Sequence, residues 1–383
     1  MTGGVAELLD GKRICICAGS GGVGKTTTSA AIAAGMAARG RRVAVLTIDP
    51  ARRLADSLGM EELGNEAKRV DPELLAAAGI EGDGELWAMM LDAKATFDEV
   101  IRRNAPDAET RDRILSNRIY QQLSGALAGS QEYMAMEKLY ELWAEGDYDL
   151  LVLDTPPSRS ALDFLDAPGR LVQFIEGRAL RLFMRPTGLA SRILGGGASM
   201  MFSVLRRITG VDLLEDLAEF FQAFGGMVDG FRERARKVNA LLAAPETTFL
   251  VVCAPQSEPM SEAAHFHGKL VEADMPFGGI IVNKVRYAGG PEDGELERAL
   301  AEALGDPDLA ARVAANQRDF RALDERDRAN IERLASDLRV SDVIQVPYLD
   351  DDVHDLSGLM DVNRYLFATG AEEPGALVGE RLR

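Results

Sequence analysis

Short apolar runs alternate with longer stretches of helical periodicity along most of the chain. The runs lie at 14–18, 42–48, 85–91, 148–154, 248–253, 279–284 and 343–347. Near-continuous apolar runs of this length are typical of strands buried on both faces of a parallel sheet. Helices predicted between them complete a repeated β-α-β order. The pattern therefore predicts an α/β fold with a mainly parallel, doubly wound sheet flanked by helices.

The stretch 161–242 interrupts this alternation with a helical pattern that contains no clear strand. It is rich in large apolar residues, among them Met200, Met201 and Phe202, which follow three glycines at 195–197. Such a stretch can be a self-packed helical subdomain or a Met-rich groove that accommodates apolar partners. The predicted boundaries are an α/β domain over 12–160 and 243–368, a helical insert over 161–242 with contributions from 93–146, and a disordered tail over 369–383.

A glycine-rich sequence at 19–27 follows the first predicted strand and precedes a helical stretch at 27–38. Gly19, Gly24, Lys25 and Thr26 fill the G-x-x-x-x-G-K-[ST] spacing of a phosphate-binding loop. In such a loop, backbone amides surround a polyphosphate, the lysine contacts its outer phosphates and the hydroxyl reaches a magnesium ion. A simple turn is the alternative, but it does not require the full pattern in this setting. The expected nucleotide-binding residues are Gly21, Gly22, Val23, Gly24, Lys25, Thr26 and Thr27.

Two of the predicted strands lead into a carboxylate, Asp49 after 42–48 and Asp154 at the end of 148–154. Ligands of open α/β sheets bind at the carboxyl ends of the strands, so we expect both side chains near the phosphate loop. An apolar strand that ends in aspartate is typical of a residue that holds magnesium. Taken alone, Asp49 would be interpreted as a turn residue, and a helix N-cap or turn is the alternative for Asp154.

The sequence Asn283-Lys284-Val285-Arg286 is similar to the guanine-reading N-K-x-D motif but has arginine in place of the aspartate. Adenine is therefore favoured over guanine, and Asn283 can still hydrogen-bond a purine edge. ATP with Mg²⁺ is the expected ligand. The charged stretch 295–338 predicts one long helix, or two broken at 305–307, with a solvated face.

The net charge of -18 argues against a non-specific nucleic-acid or anionic-membrane surface, because the long-range field would repel phosphates. No nucleic-acid partner is expected. No run of about 18 apolar residues and no signal-type segment occurs, so we expect a cytoplasmic protein with no membrane span. Cys15, Cys17 and Cys253 lie in apolar runs and are expected to be small core side chains rather than metal ligands.

Together these motifs resemble the arsenical-pump and guided-entry (tail-anchored-protein targeting) ATPase family, over about residues 12–368. The resemblance rests on the phosphate loop, 47–51, 154–157, Asn283-Lys284 and Val346-Pro347. It implies a Mg-dependent ATPase that works as a dimer and switches its helical insert for an apolar client or a membrane-protein partner. It also implies that Asn283 and Pro347 lie beside adenine.

The resemblance further implies chemical roles. The implied catalytic residues are Lys25, Asp49 and Asp154, with Asp49 orienting the attacking water. The implied magnesium residues are Thr26, Asp49 and Asp154, the carboxylates acting through water.

The chain departs from the family pattern at the phosphate loop, where Ser20 replaces a signature lysine that reaches across the dimer. Slow or partner-dependent hydrolysis follows as a hypothesis, because a hydroxyl supplies no cationic charge. An alternative is a weakly catalytic or non-catalytic subunit paired with a lysine-bearing paralogue. Arg159 is a candidate replacement for the missing charge, and a solvated loop arginine is the favoured alternative for this residue. A metalloid-pump motor is the weakest interpretation, because the insert contains no cysteine.

Overall fold

The computed structural model describes residues 4–49, 51–80, 82–118, 120–121, 131–156, 167, 169, 220, 223–288, 293–340, 343–349 and 351–368. The chain divides into two compact units. The first comprises Met1–Met90, Glu145–Ala161 and Ala243–Arg383, and the second comprises Leu91–Ala144 and Leu162–Leu242. The expected tail at 369–383 and the glycines at 195–197 lie outside the described residues.

The helices and strands of the described residues follow in chain order. The amino-terminal elements are α1 (Val5–Leu8), β1 (Ile14–Ala18), α2 (Lys25–Ala37), β2 (Arg42–Thr47), α3 (Arg53–Ser57), β3 (Lys68–Arg69), α4 (Pro72–Ala77), β4 (Glu85–Met90), α5 (Ala93–Asn104) and α6 (Ala108–Ser116). The later elements are α7 (Gln131–Glu145), β5 (Leu150–Asp154), α8 (Val228–Leu242), β6 (Thr247–Cys253), α9 (Ser257–Glu272), β7 (Phe277–Val285), α10 (Asp293–Leu304), α11 (Pro307–Leu338), β8 (Val343–Pro347) and α12 (Leu356–Leu366).

The first unit is built on an eight-stranded sheet in the order β3-β4-β2-β5-β1-β6-β7-β8. Every neighbouring pair is parallel except β3 and β4. Strand β1 lies between β5 and β6, and its residues are fully or nearly fully buried, which explains why they are all apolar. The predicted α/β fold with a mainly parallel sheet is confirmed.

Helix α12 packs against α2, the helix that follows the phosphate loop. A side chain at Gly35 of α2 would collide with the ring of Phe367, directly after α12. The guanidinium of Arg39 lies 4.0 Å from the centre of the same ring. The small residues of α2 thus allow a late part of the chain to cover this helix closely.

The second unit contains α5, α6, α7 and α8 among its described residues. Helix α6 ends at Ser116, where Asn117 takes an extended conformation. Phe220, Phe224 and Met227, three apolar residues of the predicted insert, are buried. The two phenylalanine rings stack or tilt against a cluster that also contains Phe97, Tyr120 and Phe231. The apolar residues at 200–202 lie outside the described part of the chain.

The charged stretch at 295–338 forms the predicted helical pair, α10 and α11. Asp306 accepts hydrogen bonds from the amides of Asp308 and Leu309 and so caps α11. The expected solvated face is only partly correct, because Asp327 on α11 is fully buried and Asp324 nearly so. Within the described residues, no helix combines the length and the apolar character needed to cross a bilayer.

Candidate active site

The phosphate loop occupies the short connection between β1 and α2. Gly24 forms the N-cap of α2 with φ 94°, a left-handed conformation that favours glycine. A side chain there would also collide with the amide of Asn283. Thr26 and Thr27 fall in the first turn of α2, whose backbone amides face the region where the helix begins. The local geometry suits a bound anion.

Lys25 lies folded back on this loop. Its Nζ donates a hydrogen bond to the carbonyl oxygen of Ser20 over 2.8 Å, and the residue is 6% exposed. Burial lowers the pKa of Lys25, while the charges of Asp154 and Asp49 oppose that change. Among the described residues, the hydrogen-bond partner of this buried cation is therefore a neutral carbonyl.

Asp154 is fully buried at the carboxyl end of β5 and accepts two hydroxyl hydrogen bonds. Thr26 Oγ1 lies 2.7 Å from its Oδ2, and Thr47 Oγ1 lies 2.9 Å from the same oxygen. The other oxygen, Oδ1, is buried without a hydrogen-bond partner in the described part of the chain. Burial raises the pKa of Asp154 to about 6, against the effects of both hydroxyls and Lys25.

Asp49 follows β2 and is joined to Asp154 through Thr47. The amide of Asp49 donates to Thr47 Oγ1 over 3.2 Å, so one hydroxyl contacts both aspartates. Asp49 Oδ1 accepts the amide of Ala51 over 2.9 Å, which is the turn contact expected of an aspartate here. Its Oδ2 lies 4.0 Å from Arg53. The two aspartates thus lie at the same edge of the sheet, as the parallel strands predict. Thr47, which connects them, was not identified from the sequence.

The carboxyl end of β7 contacts the phosphate loop. Asn283 Nδ2 donates to the carbonyl oxygen of Val23 over 2.9 Å, and Lys284 Nζ donates to that of Gly22 over 2.8 Å. Pro347 is buried at the end of β8, beside Val285. Sequence reasoning named Asn283 and Pro347 but overlooked Lys284, whose place in N-K-x-D was the available signal.

Arg286 stands where the base-reading aspartate of N-K-x-D would be, and it forms an ion pair with Asp327 of α11. Its Nη1 lies 3.1 Å from Asp327 Oδ2, and its backbone amide donates to the same oxygen over 3.4 Å. This pairing explains why Asp327 is buried in a helix with so many charged residues.

All three cysteines are free and buried in the sheet. Cys15 and Cys17 belong to β1, and Cys253 belongs to the adjacent strand β6. Burial raises the pKa of Cys253 to about 12, and a hydrogen bond with Cys17, followed by burial, raises the pKa of Cys15. The prediction that these residues are small core side chains is confirmed.

A family model described as anion-transporting ATPase matches residues 12–296, which include the phosphate loop, both aspartates and the end of β7. Among similar proteins are ATPase GET3 of Malassezia globosa, 26% identical over 73% of this chain and 76% of its own, and ATPase GET3 of Kluyveromyces lactis, 27% identical over 73% and 74%. ATPase GET3A of Arabidopsis thaliana is 26% identical over 73% and 69%. The match covers most of the chain, including the phosphate loop and both aspartates, so the chain belongs to the anion-transporting ATPase family and is an ATPase.

Proposed function

We propose that this protein is a cytoplasmic, Mg-dependent ATPase that works as a dimer. Its nucleotide state controls the helical insert at 161–242, together with parts of 93–146, for an apolar client protein or a membrane-protein partner. The α/β domain over 12–160 and 243–368 binds the nucleotide. The kinship with GET3 proteins supports this proposal.

One observation carries the chemical part of the proposal, namely the hydrogen-bonded group Thr26–Asp154–Thr47 beside the phosphate loop. The unpartnered Asp154 Oδ1 and the Thr26 hydroxyl are hard oxygen atoms of the kind that magnesium or its bound water prefers. Magnesium bound there would neutralise charge on the phosphates. Asp154 accepts hydrogen bonds from Thr26 and Thr47, and these bonds fix the positions of both hydroxyls beside the proposed magnesium site.

The remaining roles follow from the positions of the side chains. Lys25 exchanges its carbonyl partner for the outer phosphates of ATP, because a phosphate offers an ammonium group the charge that a carbonyl lacks. Asp49 orients the attacking water. The hydrogen bond from its backbone amide to Thr47 Oγ1 fixes its position relative to Asp154. The loop after Val346 holds adenine, and Pro347 packs near the base.

The main rival is a weakly catalytic or non-catalytic subunit that needs a lysine-bearing paralogue. Steady-state ATPase assays on the purified chain, alone and mixed with such a paralogue, separate the two proposals. Turnover by the chain alone supports an active homodimer. Turnover that requires the paralogue supports the rival.

Replacing Ser20 tests whether a missing cation limits the rate. We expect Ser20→Lys to accelerate hydrolysis by the homodimer at least about tenfold, because a cation near the transferred phosphate can raise the rate by several orders of magnitude. Steady-state turnover is the measurement, and Ser20→Ala is the uncharged control.

Arg159, which lies outside the described residues, is the alternative source of this positive charge. If it already supplies the charge, Arg159→Ala loses turnover and Ser20→Lys changes nothing. If neither substitution alters turnover, with or without a lysine-bearing partner, a positive charge supplied from one subunit to the nucleotide of the other does not limit the rate of hydrolysis.

A metalloid-pump role is disfavoured by the buried thiols, which leads to a further prediction. Arsenite or antimonite should leave the ATPase rate unchanged, because a protonated thiol in the sheet is neither accessible nor a good ligand. The rate is measured with and without the metalloid in the parent and in Cys253→Ala. Stimulation that disappears in the variant would contradict both the burial and the rejection of a pump role.

A further inference from the structure

Strand β7 contains an irregularity at the point where it approaches the phosphate loop. Val282 pairs with Gln345 and Val285 pairs with Pro347, so β7 advances three residues while β8 advances two. Lys284, within this bulge, has φ 63°. The other described non-glycine residues with positive φ, Asp274 and Arg339, follow the ends of α9 and α11. A lysine in this conformation inside a strand is strained, and such strain is found where side chains have to be redirected.

The bulge brings two consecutive side chains to the same loop. In a regular strand, the side chains of Asn283 and Lys284 would point to opposite faces. Here Asn283 Nδ2 donates to the Val23 carbonyl and Lys284 Nζ donates to the Gly22 carbonyl. The amide of Lys284 also donates to Asn283 Oδ1 over 2.9 Å, which fixes the orientation of the Asn283 side chain.

The contacts fix the direction of two peptide units in the phosphate loop. In a trans peptide the carbonyl and the following N–H point in opposite directions across the plane. A carbonyl of Gly22 held toward Lys284 therefore directs the N–H of Val23 away from β7. In the same way, the carbonyl of Val23 held toward Asn283 directs the N–H of Gly24 away from β7.

We propose that Asn283 and Lys284 are positioning residues that aim the amides of Val23 and Gly24 at the phosphates of the bound nucleotide. They act through the loop and not through the base. The ligand recognised in this way is a magnesium-bound polyphosphate, whatever base it carries. This inference rests on the proposal that the loop binds the phosphates of ATP.

Lys284 can be tested by separating binding from folding. We expect Lys284→Gly and Lys284→Met each to weaken the binding of magnesium tripolyphosphate and of magnesium ATP by about threefold to tenfold, measured by calorimetry. Lys284→Gly should not lower the melting temperature of the free protein, because glycine adopts φ 63° without strain. Lys284→Arg, which keeps a charged donor, should recover part of the lost affinity.

Lys269→Met is the matched control, since it removes one lysine charge from α9, where Lys269 contacts Glu272. It should leave both affinities unchanged. Unchanged affinities in Lys284→Gly and Lys284→Met would overturn the proposal for Lys284. So would an equal loss in Lys269→Met, because the effect would then reflect net charge.

Asn283→Ala distinguishes a role toward the loop from one toward the base. We expect its affinities for magnesium ATP, magnesium GTP and magnesium tripolyphosphate to fall by the same factor, about tenfold, because tripolyphosphate has no base. A loss confined to ATP would overturn the positioning role and favour a purine contact, and so would unchanged affinity for all three ligands. If the parent protein binds neither ATP nor tripolyphosphate, the proposed function itself fails. If the parent binds both and the variants bind equally well, only this inference fails.

Discussion

Lys25→Ala is expected to abolish measurable ATP binding, because it should lower the affinity by about thirtyfold to several thousandfold. Removing one member of a buried, hydrogen-bonded charge pair costs about 2–5 kcal/mol, and each 1.4 kcal/mol is about tenfold in affinity. Lys25 is 6% exposed and donates a hydrogen bond to the neutral carbonyl of Ser20, which leaves its charge available to a phosphate. Isothermal titration with magnesium ATP measures the loss.

Lys12→Ala is the matched control for this variant. Lys12 also donates its ammonium hydrogens to main-chain carbonyl oxygens, those of Pro245 and Thr247, but it precedes β1 and does not belong to the loop. It should bind ATP as the parent does. If Lys25→Ala also binds ATP as tightly as the parent, the assignment of the phosphate loop is wrong.

Asp49→Asn should bind ATP with nearly unchanged affinity and lose turnover by about a hundredfold or more. An asparagine keeps the oxygen that accepts the Ala51 amide, so the turn after β2 is preserved. The amide group lacks the negative charge that orients and polarises a water, a contribution of about 10²–10⁴ in rate. Calorimetry measures the affinity, and a single-turnover assay measures the chemical step without interference from product release.

Asp56→Asn makes the same isosteric change on the exposed side of α3, seven positions further along the chain. Its turnover should match that of the parent. Equal turnover in Asp49→Asn would remove Asp49 from the mechanism and leave it only its turn contact. A parallel loss of ATP affinity would instead mean that Asp49 holds the nucleotide.

The central strands were predictable because a strand covered on both faces has to be apolar along its whole length. This held for β1, and for β5 as far as Asp154 at its carboxyl end; the residues of both strands are almost fully buried. The edge strand β3 was less predictable, because its two residues, Lys68 and Arg69, are exposed and it contains no apolar run. Short helices such as α1, with four residues, also give too little periodicity to detect.

The meeting of Thr26 with Asp154 followed from the sequence, because one begins the helix after β1 and the other ends a parallel strand. The part played by Thr47 did not, since a threonine inside an apolar run is equally typical of a core position. The contacts of Asn283 and Lys284 depend on a one-residue bulge in β7. Neither asparagine nor lysine indicates a bulge. The regular alternation of a strand would therefore have predicted that the two side chains lie on opposite faces of the sheet.

The packing of α12 on α2 has a consequence for the order in which the protein is made. The phosphate loop is encoded within the first 27 residues, but β5 and β6, which flank its strand, come more than a hundred residues later. The helix that covers α2 ends at Leu366. At usual rates of translation, tens of seconds separate synthesis of the loop from synthesis of this cover. The strand and the helix on either side of the phosphate loop therefore gain their neighbours in the sheet and their covering helix only late in synthesis.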